Sequence, residues 1–340
     1  MLLEVEDLSV TFDTPDGAVK AVQNISFQLD TGQTLGIVGE SGSGKSVSTQ
    51  ALVGLLRGAD ITGRSSFNGQ DLLTMSPSRL RAIRGAEIAM IFQDPLSSLH
   101  PYYRVGSQIT EQIRAHEDIS KKAARSRAVE LLRLVGIPQP DRRVDDFPHQ
   151  FSGGMRQRAM IAMAMSLNPK LLIADEPTTA LDVTVQAQVL EVLERLQDEF
   201  GTAIIMITHD LGVIAGMADR VCVMYAGRIV EEAPLRDIFY TQHHPYTAGL
   251  LRSIPSASST GQRLSSIAGQ PPSLVNLPSG CSFHPRCPYV FDQCRAERPL
   301  LDPVLGNPLH RSACFLPKDS LRVNDSADTF DVADSEVGAS

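Results

Sequence analysis

The stretch Gly39-Glu40-Ser41-Gly42-Ser43-Gly44-Lys45-Ser46 constrains this chain more than any other. It follows the apolar run Leu35, Ile37, Val38 and precedes Ala51, Leu52, Leu55 and Leu56 at helical spacing, so it occupies a strand-to-helix junction. Gly39, Gly42 and Gly44, with Ser41 and Ser43 between them, let the backbone close into a nest whose N–H groups point at anionic oxygen. The helix that follows adds the positive end of its dipole. The spacing G-x-x-x-x-G-K-S in this setting reads as a phosphate-binding loop. Lys45 would reach the β- and γ-phosphates of a nucleotide, and Ser46 would offer a hydroxyl to Mg²⁺.

A chain of 340 residues allows about two domains and a sizeable core. With 42% hydrophobic and 21% charged residues it has the composition of a soluble globular protein. A net charge of -8 argues against a broad nucleic-acid surface, which needs a basic face. No apolar run reaches the roughly 18 residues of a membrane span, and Met1-Leu2-Leu3-Glu4 lacks the pattern of a signal peptide. The expectation is a cytoplasmic protein, any membrane role of which would be through partners.

Residues 2 to 12 and 18 to 30 alternate apolar and polar positions around the turn Thr14-Pro15-Asp16-Gly17, as paired strands do. Phe12, shortly before the phosphate loop, reads as core when taken alone. Asn68-Gly69 marks a second hairpin. Residues 86 to 92 form an apolar strand that runs into Gln93-Asp94-Pro95, where Gln93 can touch Mg²⁺ or water beside a nucleotide. The stretch 101 to 150 turns charged and helical; Ser120 caps a helix that Gly136 closes, with Ala128, Leu131, Leu132 and Val135 as its apolar stripe.

Three later stretches carry chemistry. Ser152-Gly153-Gly154-Met155 opens a helix that Ser152 caps, and the two glycines leave N–H groups open to an anion. Leu171-Leu172-Ile173-Ala174-Asp175-Glu176 is a continuous apolar strand, as in a parallel sheet buried on both faces, that ends in two carboxylates. Adjacent side chains at a strand end diverge, so Asp175 is assigned to Mg²⁺ and Glu176 to the attacking water as general base. A further apolar strand, 203 to 207, ends in Thr208-His209-Asp210, which brings His209 toward the same edge.

Cys281, Cys287, Cys294 and Cys314 follow C-x5-C-x6-C-x19-C, which matches neither paired C-x2-C zinc sites nor the C-x2-C-x2-C run of bacterial ferredoxins. In a reducing compartment such a group suggests metal before disulfide. A four-iron, four-sulfur cluster, one zinc, or reduced cysteines in a small Pro-rich fold all remain open, with His284 and His310 as substitute ligands. Residues 254 to 280, rich in Ser, Pro and Gly, read as a connector, and the acidic end from Asp319 to Ser340 reads as disordered.

Taken together, these residues resemble the ATP-binding subunit of an ABC transporter, from residue 2 to about 316. Gly39 to Ser46 match the phosphate loop, Gln93 the Q-loop, Ser152 to Met155 the signature, Asp175 and Glu176 the Walker B pair, Ala180-Leu181-Asp182 the D-loop, and His209 the switch histidine. Phe151 and Met155 depart from the commoner leucine and glutamine. Within the family, GIVGESGSGKS at 36 to 46, FQDPLSSL at 92 to 99, His244-Pro245-Tyr246-Thr247, Gly280-Cys281 and Arg286-Cys287-Pro288 resemble the dipeptide and oligopeptide importers, with nickel importers as near relatives.

The resemblance implies an α/β fold: an ABC-type ATPase, 1–253, with a mainly parallel core sheet, an antiparallel β subdomain and a helical subdomain at about 95–168. A connector at 254–280 would lead to a small cysteine-bearing extension at 281–317 and a disordered tail at 318–340. It implies Phe12 as the aromatic that stacks on the base, and favours the four-iron, four-sulfur cluster over zinc. It implies ATP sandwiched between Lys45 and Ser46 of one subunit and Ser152, Gly153 and Gly154 of another, with Asp182 and Gln93 near the γ-phosphate and His209 sensing it. The partners implied are a second ATPase subunit, a related, non-identical one with an identical copy as the alternative, two membrane permeases, one cytoplasmic helix of which would enter a groove formed by the segment from Gln93 to about Gly106, and an extracytoplasmic binding protein. The location implied is the cytoplasmic membrane face. Two other classes compete: a soluble ABC ATPase acting on DNA or ribosomes lacks the expected paired cassettes, coiled coils or basic surface, and a small-molecule kinase leaves Ser152 to Met155 unexplained.

Overall fold

The computed structural model describes residues 1–94, 98–179, 181–254 and 267–317. Residues 95–97, Ala180 of the D-loop, most of the connector (255–266) and the acidic tail from 318 onward lie outside the described residues.

The alternating segments at the start form a hairpin, β1 (Leu3–Thr14) with β2 (Gly17–Leu29), paired from Leu3 opposite Leu29 to Thr14 opposite Gly17. β4 (Ala59–Phe67) flanks β1 on its other edge, and β5 (Gln70–Asp71) completes an antiparallel sheet in the order β2-β1-β4-β5. The turn between β4 and β5 is Asn68-Gly69, with φ of 50° and 77°, values that Asn and Gly adopt at least cost.

The second sheet has eight strands: β11 (Asp302–Val304), β12 (Asn307–Ser312) and β10 (Arg228–Pro234) stand at one side, in that order, followed by five more. Its centre is parallel: β9 (Arg220–Tyr225), β3 (Thr34–Val38), β8 (Ala203–Thr208), β7 (Leu171–Asp175) and β6 (Ile88–Ile91). The continuous apolar runs of the sequence have their physical cause here, because both faces of these strands are covered. On β8, Ile204 and Met206 enter one core while Ala203, Ile205 and Ile207 enter the other. On β7, Leu172 and Ala174 face the first core, and Leu171 and Ile173 the second.

The helices Val105–His116, Lys121–Leu134 and Gly153–Ala164 pack on the first core through fully buried Ile109, Ile113, Ala128, Leu132 and Ile161. Ser120 accepts a hydrogen bond from the Ala123 N–H at 3.2 Å and so begins its helix as its sequence position implied. Among the described residues no helix is long and apolar enough to cross a membrane.

The cysteine-bearing segment shares sheet and core with the rest of the chain. β12 (Asn307–Ser312) pairs with β10 (Arg228–Pro234), placing Glu231 opposite Ser312, and β11 (Asp302–Val304) pairs outside it. Phe283, 2% exposed, joins the first core and meets the Tyr225 ring edge-on at 5.2 Å. Glu231 is wholly buried, accepts the His243 and His244 N–H groups, and lies 2.9 Å from His310 Nε2 on β12. Glu232 beside it is held by Arg220 and Arg311.

Removing the Glu231 carboxylate strands buried donors from two segments at once. Glu231→Ala should therefore lower stability by about 3–5 kcal/mol in denaturant unfolding. A loss below about 1 kcal/mol would show that this carboxylate does not fasten β12 to the core.

Candidate functional site

From Val38 at the end of β3 the chain turns through Gly39 to Gly44 and enters the helix Lys45–Leu52. Gly39 has φ of 155° and Gly44 φ of 99°; a Cβ at either would come within 2.2 Å of the Met224 carbonyl oxygen or 2.3 Å of the Ala21 carbonyl oxygen. Both neighbours are backbone and cannot step aside, so the loop accepts only glycine at these positions. Ser41 and Gly42 stand exposed at its crest, while Ser43, Gly44 and Lys45 are buried. The Ser43 hydroxyl has no hydrogen-bond partner, an orphaned polar atom inside the cradle. Lys45, 5% exposed, donates through Nζ to the Gly39 and Glu40 carbonyls at 2.7 and 2.9 Å. Burial lowers its pKa, against the pull of the Glu176, Asp175 and Glu40 carboxylates.

Parallel register delivers the rest of the site to the same edge. Val38 is level with Thr208, and Asp175 with Ile207, so the C-terminal ends of β3, β8 and β7 coincide. Ser46 Oγ donates to Asp175 Oδ1 at 2.8 Å, which brings together the hydroxyl and the carboxylate assigned to Mg²⁺. Burial pushes the Asp175 carboxyl up and Glu176 adds to this, while Ser46 and Lys45 act the other way. A buried carboxylate beside a hydroxyl and a second carboxylate is a donor set that suits a hard divalent cation.

Glu176 leaves the strand with φ of 48° and its N–H bonded to the Ile207 carbonyl, so its side chain diverges from that of Asp175. Its Oε2 accepts from Gln93 Nε2 at 2.9 Å and from the Thr179 hydroxyl at 2.8 Å, and its Oε1 lies 3.2 Å from His209 Nδ1. Burial acts to raise the Glu176 carboxyl, but the hydrogen bonds from Thr179 and His209, together with the His209 and Lys45 charges, outweigh it and hold it below the usual value. An ionised, firmly oriented carboxylate of this kind can polarise a water molecule. Gln93 and His209, far apart in sequence, thus converge on one group.

Thr179 was not singled out from the sequence, although a threonine three residues beyond a functional carboxylate is placed to reach back to it. Two further contacts had no sequence signal. The Glu40 N–H donates to the Tyr246 hydroxyl at 2.8 Å, and the Glu40 carboxylate is gripped by Arg286, across 206 and 246 residues.

Ser152, Gly153 and Gly154 lie elsewhere, at the start of the helix Gly153–Ala164. The Ser152 hydroxyl accepts from the Met155 N–H at 3.3 Å, Gly153 is open, and Gly154 faces Val185 of the next long helix. Among the described residues no hydrogen bond joins them to the Glu176 group. Asp182 caps the helix Val183–Phe200, its Oδ1 accepting from the Val185 N–H at 3.0 Å. Phe12 is half-buried on β1, opposite Val19, and packs against the second core.

Cys281, Cys287, Cys294 and Cys314 all line one small cavity with His284 and His244. Among the described residues no group of three or more His, Cys, Asp or Glu side chains is arranged to hold a metal ion. Burial raises the thiols of Cys281, Cys287 and Cys314, the last to about 12, and neighbouring thiols add to the effect. Neutral thiols are weak ligands and have no electrostatic reason to converge. The donor identities still fit a thiolate-bound metal, since all four surround the same space.

Residues 22–179 match the ABC transporter family, and residues 230–294 match the C-terminal region of oligopeptide/dipeptide transporters. The chain is 52% identical over 322 residues to the oligopeptide transport ATP-binding protein OppD of Salmonella typhimurium, covering 94% of this chain and 95% of that one. It is 57% identical over 294 residues to OppD of Bacillus subtilis, covering 85% and 82%, and 49% identical over 320 residues to the dipeptide transport ATP-binding protein DppD of Escherichia coli, covering 94% and 97%. A solved structure, the dimeric post-hydrolysis ATP-binding cassette MJ0796 bound to ADP and Pi, superposes with a TM-score of 0.63 at 26% identity, covering 69% of this chain and 99% of that one. Two family matches in order along one chain, relatives about half identical over most of its length, and a phosphate loop that meets Asp175 beside Glu176 lead to one conclusion: this chain belongs to the ATP-binding subunits of oligopeptide and dipeptide ABC transporters.

Proposed function

We propose that the chain binds and hydrolyses ATP to drive uptake of dipeptides or oligopeptides through membrane permeases, acting as a peripheral subunit on the cytoplasmic face. One arrangement carries this reading: Ser46 touches Asp175 while the next residue, Glu176, is held by Gln93, Thr179 and His209. Cation site, base and two sensing side chains therefore sit at the end of the loop that cradles phosphate. Lys45, now on two carbonyls, would turn to the phosphate oxygens of a bound nucleotide, and Ser46 and Asp175 would hold Mg²⁺, which supplies positive charge beside the phosphates. Glu176 then orients water for attack on the γ-phosphate, with Gln93 and His209 already hydrogen-bonded to it. Phe12 is assigned to the base.

Ser152, Gly153 and Gly154 complete the site from a second subunit, which we assign as a related ATPase rather than an identical copy, with Asp182 close to that interface. In support, these residues stand apart from Glu176 within one chain, and the matched MJ0796 cassette is dimeric. The apolar groove lined by Leu55, Met90, Phe92, Ser98, Met160 and Met163 lies at the foot of the Gln93 segment and suits a permease helix. Selection of peptide is assigned to an extracytoplasmic binding protein. The division of the chain into an ATPase part to 253, a connector, and a cysteine-bearing part from 281 is part of the same reading.

Cys281, Cys287, Cys294 and Cys314 are assigned to a four-iron, four-sulfur cluster, with one zinc as the alternative. Such a group, when bound, would be held by the four sulfurs as thiolate ligands and would tie the turn at Cys281 to the segment after β12. Support comes from the shared cavity, to which all four contribute.

Replacement of Glu176 by Gln should keep ATP affinity within about twofold and slow turnover by about 100-fold or more. Near-normal turnover of that variant would remove Glu176 from the role of base. For the cysteines, protein purified without air should contain iron and absorb visible light, and Cys294→Ser should lose both. Colourless protein with stoichiometric zinc would select the alternative, and metal-free protein would end both assignments.

A further inference from the structure

Glu40 is the one acidic residue within Gly39 to Ser46, and nothing in the phosphate chemistry uses it. Its carboxylate is 28% exposed and takes a two-pronged grip from Arg286, with Nη1 to Oε2 at 2.6 Å and Nη2 to Oε1 at 3.0 Å. Arg286 is 4% exposed. It also donates to the Ala268 and Ile267 carbonyls at 3.0 and 3.3 Å and to the Tyr225 hydroxyl at 3.4 Å, and lies 5.8 and 6.0 Å from the Tyr225 and Phe283 ring centres. Every nitrogen of the guanidinium is engaged, and its contacts with the Ala268 and Ile267 carbonyls and the Tyr225 hydroxyl anchor it from outside the loop. The bond to Glu40 holds its pKa above even its usual high value.

Glu40 is also the hub of the loop backbone. Its N–H donates to the Tyr246 hydroxyl, and its carbonyl accepts from Lys45 Nζ at 2.9 Å and from the Ser43 N–H at 3.2 Å. The Glu40 charge is felt at Lys45, the residue assigned to the phosphates. A polyphosphate entering this loop meets a carboxylate of its own sign, and burial makes such repulsion stronger than in water.

We propose that Arg286, from the cysteine-bearing segment, is a positioning residue that acts on the phosphate loop through Glu40: it cancels the Glu40 charge and thereby sets the affinity of the loop for polyphosphate. The proposal rests on the reading of Gly39 to Ser46 as an ATP site. Charge and packing make opposite demands on the two partners. If Arg286 serves to cancel charge, removing it weakens ATP binding, whereas removing the Glu40 charge does not. If the pair is only a strap, both losses loosen the loop alike.

The experiment is equilibrium binding of Mg-ATP and Mg-ADP to the full chain. Arg286→Gln should raise the ATP dissociation constant about tenfold and that for ADP by less, since ADP carries less charge. Glu40→Gln should bind ATP as tightly as the parent or more so, and the double variant should return to within about twofold of the parent. An Arg286→Gln protein that binds like the parent, or a Glu40→Gln protein that binds several-fold more weakly, overturns the proposal; the second holds even if Arg286→Gln does not fold. Lys45→Ala serves as the reference: its loss of binding upholds the ATP site on which the proposal stands, and its undiminished binding would overturn site and proposal together.

Discussion

The hydrogen-bond register of the parallel strands β3, β8 and β7 is the constraint on which the rest depends. Because Val38 lies level with Thr208 and Asp175 with Ile207, three chain segments finish at one edge of the sheet. The phosphate loop, the Asp175-Glu176 pair and His209 leave from that edge together. In a parallel sheet side chains alternate between faces, so slipping one strand by a residue would turn Ile205 and Ile207 out of one core and Met206 out of the other. The apolar demands of two cores thus hold a polar site in place. Burial on both faces stabilises the scaffold, and the strand ends, where that burial stops, are free to carry charge.

That edge concentrates groups whose charges would be costly alone. Asp175 and Lys45 are 4% and 5% exposed, and each is tolerated because the other charges and the Ser46 hydroxyl lie beside it. Glu176 is arranged differently. Three neighbours hold its carboxylate, and two of them, Gln93 and His209, come from separate strand ends. A change at the nucleotide would thus reach segments on either side of β7 through a single side chain. Gln93 leads toward the apolar groove lined by Phe92 and Ser98, the surface proposed above for a permease helix.

The cysteine-bearing segment belongs to this scheme because of what it buries. Glu231 and Glu232 on β10 take partners from β12, and Phe283 packs edge-on and tilted against Tyr225 and Tyr246. Tyr246 and Arg286 then reach Glu40. Arg286 sits in the turn between Cys281 and Cys287, so the segment that carries the thiols also touches the phosphate loop.

Much of this was readable in order along the chain. The spacing of Gly39, Gly44, Lys45 and Ser46, the apolar strand that ends in Asp175 and Glu176, the cap at Ser120 and the turn at Asn68-Gly69 are local rules, and each acts within a few residues. The carboxylates, Gln93 and His209 could be named because their strand positions implied a common edge. What the sequence by itself determined, then, was the hairpin of β1 and β2, the apolar strands of the parallel core, the identity of the nucleotide loop and the chemistry of its side chains. Only the tertiary structure decided that Thr179 supports Glu176, that Ser152 stands away from it, that four cysteines share a cavity without forming a coordination shell, and that Arg286 closes on Glu40. Those pairings join residues up to 246 positions apart. They follow from sheet order and from which ring packs on which, and neither leaves a periodic trace in the chain.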